Sequence, residues 1–178
     1  MYCLSDFRSK RAEILRDAAP GLAAFFVWAS ERRAALGRQL QRADLSLDQV
    51  ARWAANLKIV DRNAATGELR VRLFGTGMVG IYGRDLTGQT LQIALPGALK
   101  DQLLAAYETA TGGRVVHEKI DFDWPDGKNV RYERIIYPLD TQGVYGQFAV
   151  VGARSAGRRN IFARPQDACF LAATLDVL

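Results

Sequence analysis

The segment at residues 68–91, ELRVRLFGTGMVGIYGRDLTGQTL, constrains the fold more than any other part of the chain. From Leu69 to Phe74, apolar residues alternate with arginines, which is the period-two pattern of a half-buried β-strand. Glycines then break the pattern, and an apolar cluster about one helical turn long follows. We therefore predict a strand, a short helix and a capped turn at residues 85–88.

The glycines directly after this strand match a known nucleotide-binding pattern. Residues 75–80 (GTGMVG) fit GxGxxG, the fingerprint of a dinucleotide-binding βαβ unit. That unit requires a helix of roughly a dozen residues after the glycines and an acidic strand end ~20 residues further on. Gly83 interrupts the helix, and no such strand end is present. The pattern favours tight-turn glycines over nucleotide binding, and we expect Gly75 and Gly83 to adopt backbone angles that side chains disfavour.

The same segment resembles the PAS family of sensory domains. The matching pieces are RLFGT at 72–76, an aromatic residue before glycine at 81–83, and DLTGQTL at 85–91. They are similar to the RL-x-GT … G-x-DLTG core of a bacterial subfamily of small stand-alone PAS proteins. The resemblance covers about residues 50–155. It implies a sensory or regulatory module, with flanking helices that pack on the sheet and mediate dimers.

Hydrophobic patterns along the whole chain predict the α+β class. Ser46 and Gln49 form a capping-box pattern at the start of one helix. The expected order is two strands, short helices, one long helix and three antiparallel strands, with helices segregated to one face of a five-stranded PAS-like sheet. We predict helices at 6–18, 20–36, 46–55 and 98–110, and further strands at 57–61, 115–122, 130–139 and 144–153.

We divide the chain into three parts: an N-terminal helical segment at 1–45, a PAS-like domain at 46–155, and a C-terminal tail at 156–178 that carries a short helix. The strands around Ile135 and Phe148 are apolar on both faces, so the second face of the sheet needs a cover. Helix 20–36 is the candidate cover.

That helix carries Phe25, Phe26 and Trp28 within four positions. A lone helix exposing them would leave an apolar patch that soluble monomers rarely tolerate. We therefore predict that it lies on the outer face of the sheet and that the protein is a homodimer through this region.

The helices after Gly75 and the long helix are expected to lie over the inner face of the sheet. The cleft between them is either a ligand pocket or filled core, and the sequence identifies no ligand. An apolar lining with a few polar groups is typical of ligand sites. The predicted lining residues are Phe74, Met78, Ile81, Tyr82, Leu91, Leu104 and Tyr107, with Tyr132, Arg134 and Gln147 as the polar groups.

Few residues suggest catalysis or a cofactor. His117 is the only histidine and falls on a predicted strand, which argues against a multi-histidine metal site, a histidine-based triad and haem. Flavin-binding relatives place a glutamine where Gln147 lies, but a sheet glutamine is the preferred interpretation. The acidic run at 118–126 is interpreted as a polar strand face and turn rather than a cation site.

No nucleophile with a nearby base is recognisable, so we expect no enzyme. The alternative is a small α+β enzyme or carrier with a cone-shaped cavity. That class requires a histidine–aspartate pair in the cavity.

Charge and cysteine usage bound the remaining possibilities. The net charge is +5 with a pI near 9.5, which favours an arginine-rich solvated surface over nucleic-acid binding. Cys3 and Cys169 lie near opposite ends without metal-ligand spacing, as in proteins of a reducing cytoplasm. The apolar run at 22–29 is far shorter than the ~20 residues of a membrane span. The sequence predicts a soluble, cytoplasmic protein.

Overall fold

The computed structural model describes residues 16, 18–82, 84–94, 97–111, 113–123, 129–139, 144–151 and 169–177. Their backbone combines helices with one antiparallel sheet, so the predicted α+β class is confirmed. The sheet contains six strands in the spatial order β2-β1-β5-β4-β3-β6. The strands are β1 (Leu57–Arg62), β2 (Leu69–Phe74), β3 (Val116–Asp123), β4 (Asn129–Pro138), β5 (Val144–Val151) and β6 (Cys169–Val177).

The sixth strand corrects the prediction for the C-terminal tail. The sequence predicted five strands and a short helix at 156–178, but Cys169–Val177 is a strand that pairs with β3 along its whole length. Without this partner β3 would be a sheet edge with unpaired backbone N–H and C=O groups. Non-local pairing therefore decided the structure of the tail, and a local pattern could not reveal it.

The helices are α1 (Pro20–Leu36), α2 (Leu47–Val50), α3 (Thr76–Tyr82), α4 (Leu91–Ala94) and α5 (Gly97–Ala110), with 3-10 helices at Arg42–Asp44 and Ala51–Asn56. The predicted helix at 20–36 is confirmed, and Gly37 ends it in the left-handed conformation with φ 61° and ψ 16°. The long helix predicted at 98–110 is confirmed as α5.

The helix predicted at 46–55 is only partly correct. The structure forms the short α2 and then the 3-10 helix Ala51–Asn56. The prediction of a capping box is wrong, because the Ser46 side chain makes no cap hydrogen bond. Its hydroxyl instead donates to the Asp48 carboxylate, and this bond lowers the pKa of Asp48. Local side-chain bonding has therefore replaced the cap.

The predicted turn at 85–88 is confirmed. Asp85 Oδ1 accepts hydrogen bonds from the backbone N–H and the hydroxyl of Thr87, at 2.8 and 2.7 Å. These bonds lower the pKa of Asp85. Gly88 follows with φ 80°. Several other predictions lie outside the described residues: the first helix up to residue 15, the turns at 124–127 and 141–143, and the conformation of Gly83.

The backbone conformation predicted for Gly75 is wrong, although the position does require glycine. Its φ lies outside the left-handed region. A Cβ at this position would instead stand 2.1 Å from the Ala54 carbonyl oxygen and 2.4 Å from that of Ala55. Gly75 is therefore required by the close approach of two backbone segments, not by a turn.

Two apolar cores lie on opposite sides of the sheet. The inner core joins strands β1 to β4 to helices α3, α4 and α5. The outer core joins β1 and β4 to α1, α2 and Trp53. Because β1 lies between β2 and β5, its successive residues alternate between the two cores: Leu57 and Ile59 face outward, and Val60 faces inward.

The outer core buries the aromatic residues of α1 within one chain. Phe25 and Phe26 are buried, and half-buried Trp28 packs on Trp53 with ring centroids 5.2 Å apart. The exposed patch from which the sequence predicted a homodimer is therefore absent from this single chain. The homodimer stays a prediction, but an exposed aromatic patch on α1 no longer supports it.

Candidate functional site

The inner core contains most of the side chains predicted to line a cleft. Five of them are buried there: Phe74, Met78, Tyr82, Leu91 and Tyr107. Leu104 is partly buried and packs against the same core. The side chains of Ile81, Tyr132 and Gln147 lie outside the described part of the structure. The structure thus brings six of the predicted apolar residues together around β1, β2, α3, α4 and α5.

Arg134 is buried on the inner side and is held by a carboxylate. Its guanidinium forms a salt bridge with Glu118 on the neighbouring strand, and Arg134 Nε donates to Glu118 Oε2 at 2.6 Å. Gln102 of α5 donates to the other carboxylate oxygen of Glu118 at 2.5 Å. The hydrogen bonds from Gln102 and Arg134 to Glu118 therefore link α5 to β3 and β4. The Glu118 carboxylate also neutralises the charge of Arg134.

Lys58 lies at the centre of the inner site, and the sequence analysis did not select it. It is fully buried on β1, between the backbone partners Phe74 of β2 and Gln147 of β5. Its Nζ stands 5.6 Å from the ring centroid of Tyr82 and 5.5 Å from that of Tyr107. Both distances are within the range of a cation–π contact.

No described residue accepts a hydrogen bond from Lys58 Nζ. Burial lowers the pKa of Lys58 well below its ordinary value, and the positive charge of Arg134 lowers it further. A buried polar group without a partner costs free energy unless another group or a ligand satisfies it. Lys58 is therefore an unsatisfied group at the centre of the inner site.

A sequence signal for Lys58 existed. The strands around Ile135 and Phe148 were already interpreted as apolar on both faces, so a strand that pairs with one of them would also be covered on both sides. Alternation along residues 57–60 then places Lys58 opposite Leu57 and Ile59, in a core. What the sequence lacked was the spatial order that puts β1 in the interior of the sheet.

The outer face carries a second buried polar pair. His117 Nε2 and Glu133 Oε1 are 2.8 Å apart, on adjacent strands. Both carboxylate oxygens of Glu133 also accept from the backbone N–H of Ala19, each at 3.2 Å. Ala19 is the N-cap residue of α1 and offers no capping side chain, so Glu133 supplies the negative charge at the helix N-terminus.

His117 consequently lies under α1 and not in the inner site. The histidine that the cone-shaped enzyme alternative requires in the cavity is on the other face of the sheet, with Glu133. Within the described residues, no group of three or more histidine, cysteine, aspartate or glutamate side chains is placed to hold a metal ion.

The GxGxxG glycines contact the chain's own backbone. Besides Gly75, a Cβ at Gly77 would stand 2.8 Å from the Ala55 carbonyl oxygen. The Gly75 N–H donates to the Leu57 carbonyl at 2.9 Å. The helix after the glycines, α3, has only 7 residues. Gly75 and Gly77 are therefore explained by close backbone packing at the end of β2, without a bound nucleotide.

None of the helices in the described ranges is both long enough and apolar enough to cross a membrane. Comparisons with protein-family models, with curated proteins and with solved structures found no match. The function proposed below therefore rests on the geometry of the inner site and on the resemblance of residues 50–155 to PAS domains.

Proposed function

We propose that the protein is a PAS-type sensory or regulatory module that binds a small ligand in the inner site and signals through α1 to a partner or a second copy. The observation that carries the proposal is the buried Lys58, which has no hydrogen-bond acceptor among the described residues of a largely apolar core. The described elements run in the order of two strands, short helices, one long helix and four strands, which agrees with the order predicted for a PAS-like domain as far as β5.

The short helices favour a site that can open. α3 and α4 have 7 and 4 residues, and they cover the inner core beside the longer α5. Short helices are marginally stable by themselves, and their stability comes from packing. A ligand that replaced part of this packing could therefore move these helices at a small cost in free energy. Segments of low local stability are the ones that commonly open to admit ligands.

Adjacent residues of β4 connect the inner site to α1. Arg134 reaches inward to Glu118, and the preceding residue, Glu133, reaches outward to the N-terminus of α1. A ligand that displaced Arg134 would therefore act one residue away from the group that holds α1. This arrangement supports signalling by a change in the position or stability of α1.

The two alternatives receive less support. The cone-shaped enzyme or carrier would need His117 in the cavity, and nucleotide binding would need the loop at 75–80 to face a phosphate. His117 pairs with Glu133 on the outer face, and Gly75 packs on the Ala54 and Ala55 carbonyls.

The test uses a metabolite library and thermal-shift fluorimetry on the full chain, followed by calorimetry of each compound that raises the melting temperature. Leu104→Trp would occupy the inner site, and Leu73→Trp makes the same change at an exposed position of β2. We expect Leu104→Trp to abolish ligand binding and Leu73→Trp to preserve it. If no compound binds and Leu104→Trp only destabilises the fold, by the ~1–3 kcal/mol typical of overpacking, the inner site is filled core.

A further inference from the structure

Among the described residues of the inner site, one buried basic group has no hydrogen-bond acceptor. Arg134 and Glu118 neutralise each other, and Gln102 occupies the remaining carboxylate oxygen of Glu118. Lys58 is the other buried basic group, and its Nζ has no acceptor among the described residues. A ligand with a single negative charge would balance the site, whereas a dianion would bring an excess charge into a low-dielectric interior.

The surroundings of Lys58 Nζ specify the rest of the ligand. The rings of Tyr82 and Tyr107 stand on the inner side at 5.6 and 5.5 Å, and Met78 and Phe74 are buried in the same core. These side chains favour an apolar or aromatic body over a sugar or another strongly hydrated group. A carboxylate attached to such a body places one acceptor group at Lys58 and apolar surface against the rings.

We propose that Lys58 is the anion-binding residue of the inner site and that the ligand is a small monocarboxylic acid with an apolar or aromatic body. This inference rests on the proposed ligand-binding function. The carboxylate supplies the acceptor that Lys58 Nζ lacks, and the ammonium–carboxylate hydrogen bond is charge-assisted.

Binding of the acid is coupled to protonation of Lys58. Burial and Arg134 lower the pKa of Lys58 in the free protein, and an adjacent carboxylate raises it again. Among the described residues, the titratable or charged groups near Nζ are Tyr82 of α3, Tyr107 of α5 and Arg134, which is paired with Glu118. Where the free amine is neutral and the bound one charged, the complex takes up about one proton, and affinity rises roughly tenfold for each unit of falling pH.

The experiment titrates the full chain by calorimetry with four acids: hexanoate, benzoate, phenylacetate and indole-3-acetate. The uncharged amide of each acid is the matched ligand control, and inorganic phosphate is the dianion control. Lys58→Met removes the amine but retains an unbranched side chain of similar length. Lys119→Met makes the same substitution on the opposite face of the sheet, two residues after His117 on β3.

We expect at least one acid to bind and its amide to bind roughly 10- to 100-fold more weakly, the loss of one charge-assisted hydrogen bond. Lys58→Met should weaken binding of the acid by the same factor and leave the amide unchanged, and Lys119→Met should change neither. Titration of the wild-type chain in HEPES and in Tris measures proton uptake directly. This readout keeps the proposal testable even if Lys58→Met does not fold.

The failures of the two proposals differ. If acid and amide bind equally, if no proton is taken up at any pH between the lowered pKa of Lys58 and its ordinary pKa, or if phosphate binds better than every acid, the carboxylate assignment is wrong. It is also wrong if none of the acids binds but another compound binds in a manner that Leu104→Trp abolishes. In that case the ligand-binding function stands. If no compound of any class binds, both proposals fail.

Discussion

Replacing Gly75 by alanine tests how the end of β2 meets the segment before β1. The added Cβ would stand 2.1 Å from Ala54 O, 2.4 Å from Ala55 O and 2.6 Å from Ala55 C. Ordinary contacts begin near 3.4 Å, so the largest overlap is about 1.3 Å. All three atoms belong to the backbone, and no rotamer change can relieve the clash.

The expected cost follows from two terms. Overpacking of a rigid region costs typically ~1–3 kcal/mol. Relief by movement would also stretch the hydrogen bond from Gly75 N–H to Leu57 O, now 2.9 Å long, which is worth about 0.5–1.5 kcal/mol. We therefore expect Gly75→Ala to lower the free energy of unfolding by about 2–4 kcal/mol.

Gly37→Ala is the matched control. Gly37 has a φ of 61° but open space around its Cβ position, so its substitution costs only the left-handed strain of roughly 1–2 kcal/mol. Urea unfolding followed by circular dichroism at 25 °C compares the two variants with the wild-type chain. A Gly75→Ala protein as stable as Gly37→Ala, or more stable, would refute the close backbone contact.

Three further substitutions test the buried polar groups and the cover of the outer face. Because the folded pKa of Lys58 is lowered, the unfolded chain binds more protons between that pKa and the ordinary one of about 10.4. The free energy of unfolding of wild type relative to Lys58→Met should therefore rise with pH between the lowered pKa and the ordinary one, by up to ~1.4 kcal/mol per pH unit, and pH-independent differences in urea unfolding would contradict the lowered pKa. Phe26→Ala should cost ~3–5 kcal/mol because Phe26 is buried on the sheet, and Trp28→Ala, at a half-buried site, should cost less; the reverse order would contradict the packing of α1. Glu133→Gln should cost about 1–3 kcal/mol and accelerate amide hydrogen exchange in the first turn of α1, whereas unchanged exchange would show that Glu133 does not hold the helix.

Local patterns were sufficient for the elements whose structure depends on their own residues. Helix α1 begins at Pro20 and ends at Gly37, and both ends follow from backbone restrictions of proline and glycine. The turn at 85–88 follows from the Asp85 side chain and Gly88. The apolar spacing in α5 likewise identifies the face that this helix buries. The alternation in β2 is correct for Leu69 and Val71 but wrong for Leu73, which the same pattern places with them and the structure exposes beside an irregularity in the β1–β2 register.

Only the tertiary structure decided what depends on residues distant in sequence. It made residues 169–177 a strand, because β3 offered an unpaired edge. It placed His117 with Glu133 under α1, although both had appeared to be ordinary strand residues. Above all, it placed β1 between β2 and β5, so that a lysine in a short apolar strand became a buried amine without an acceptor. Sequence periodicity determines which residues share a face, but burial of that face depends on which strands and helices pack against it.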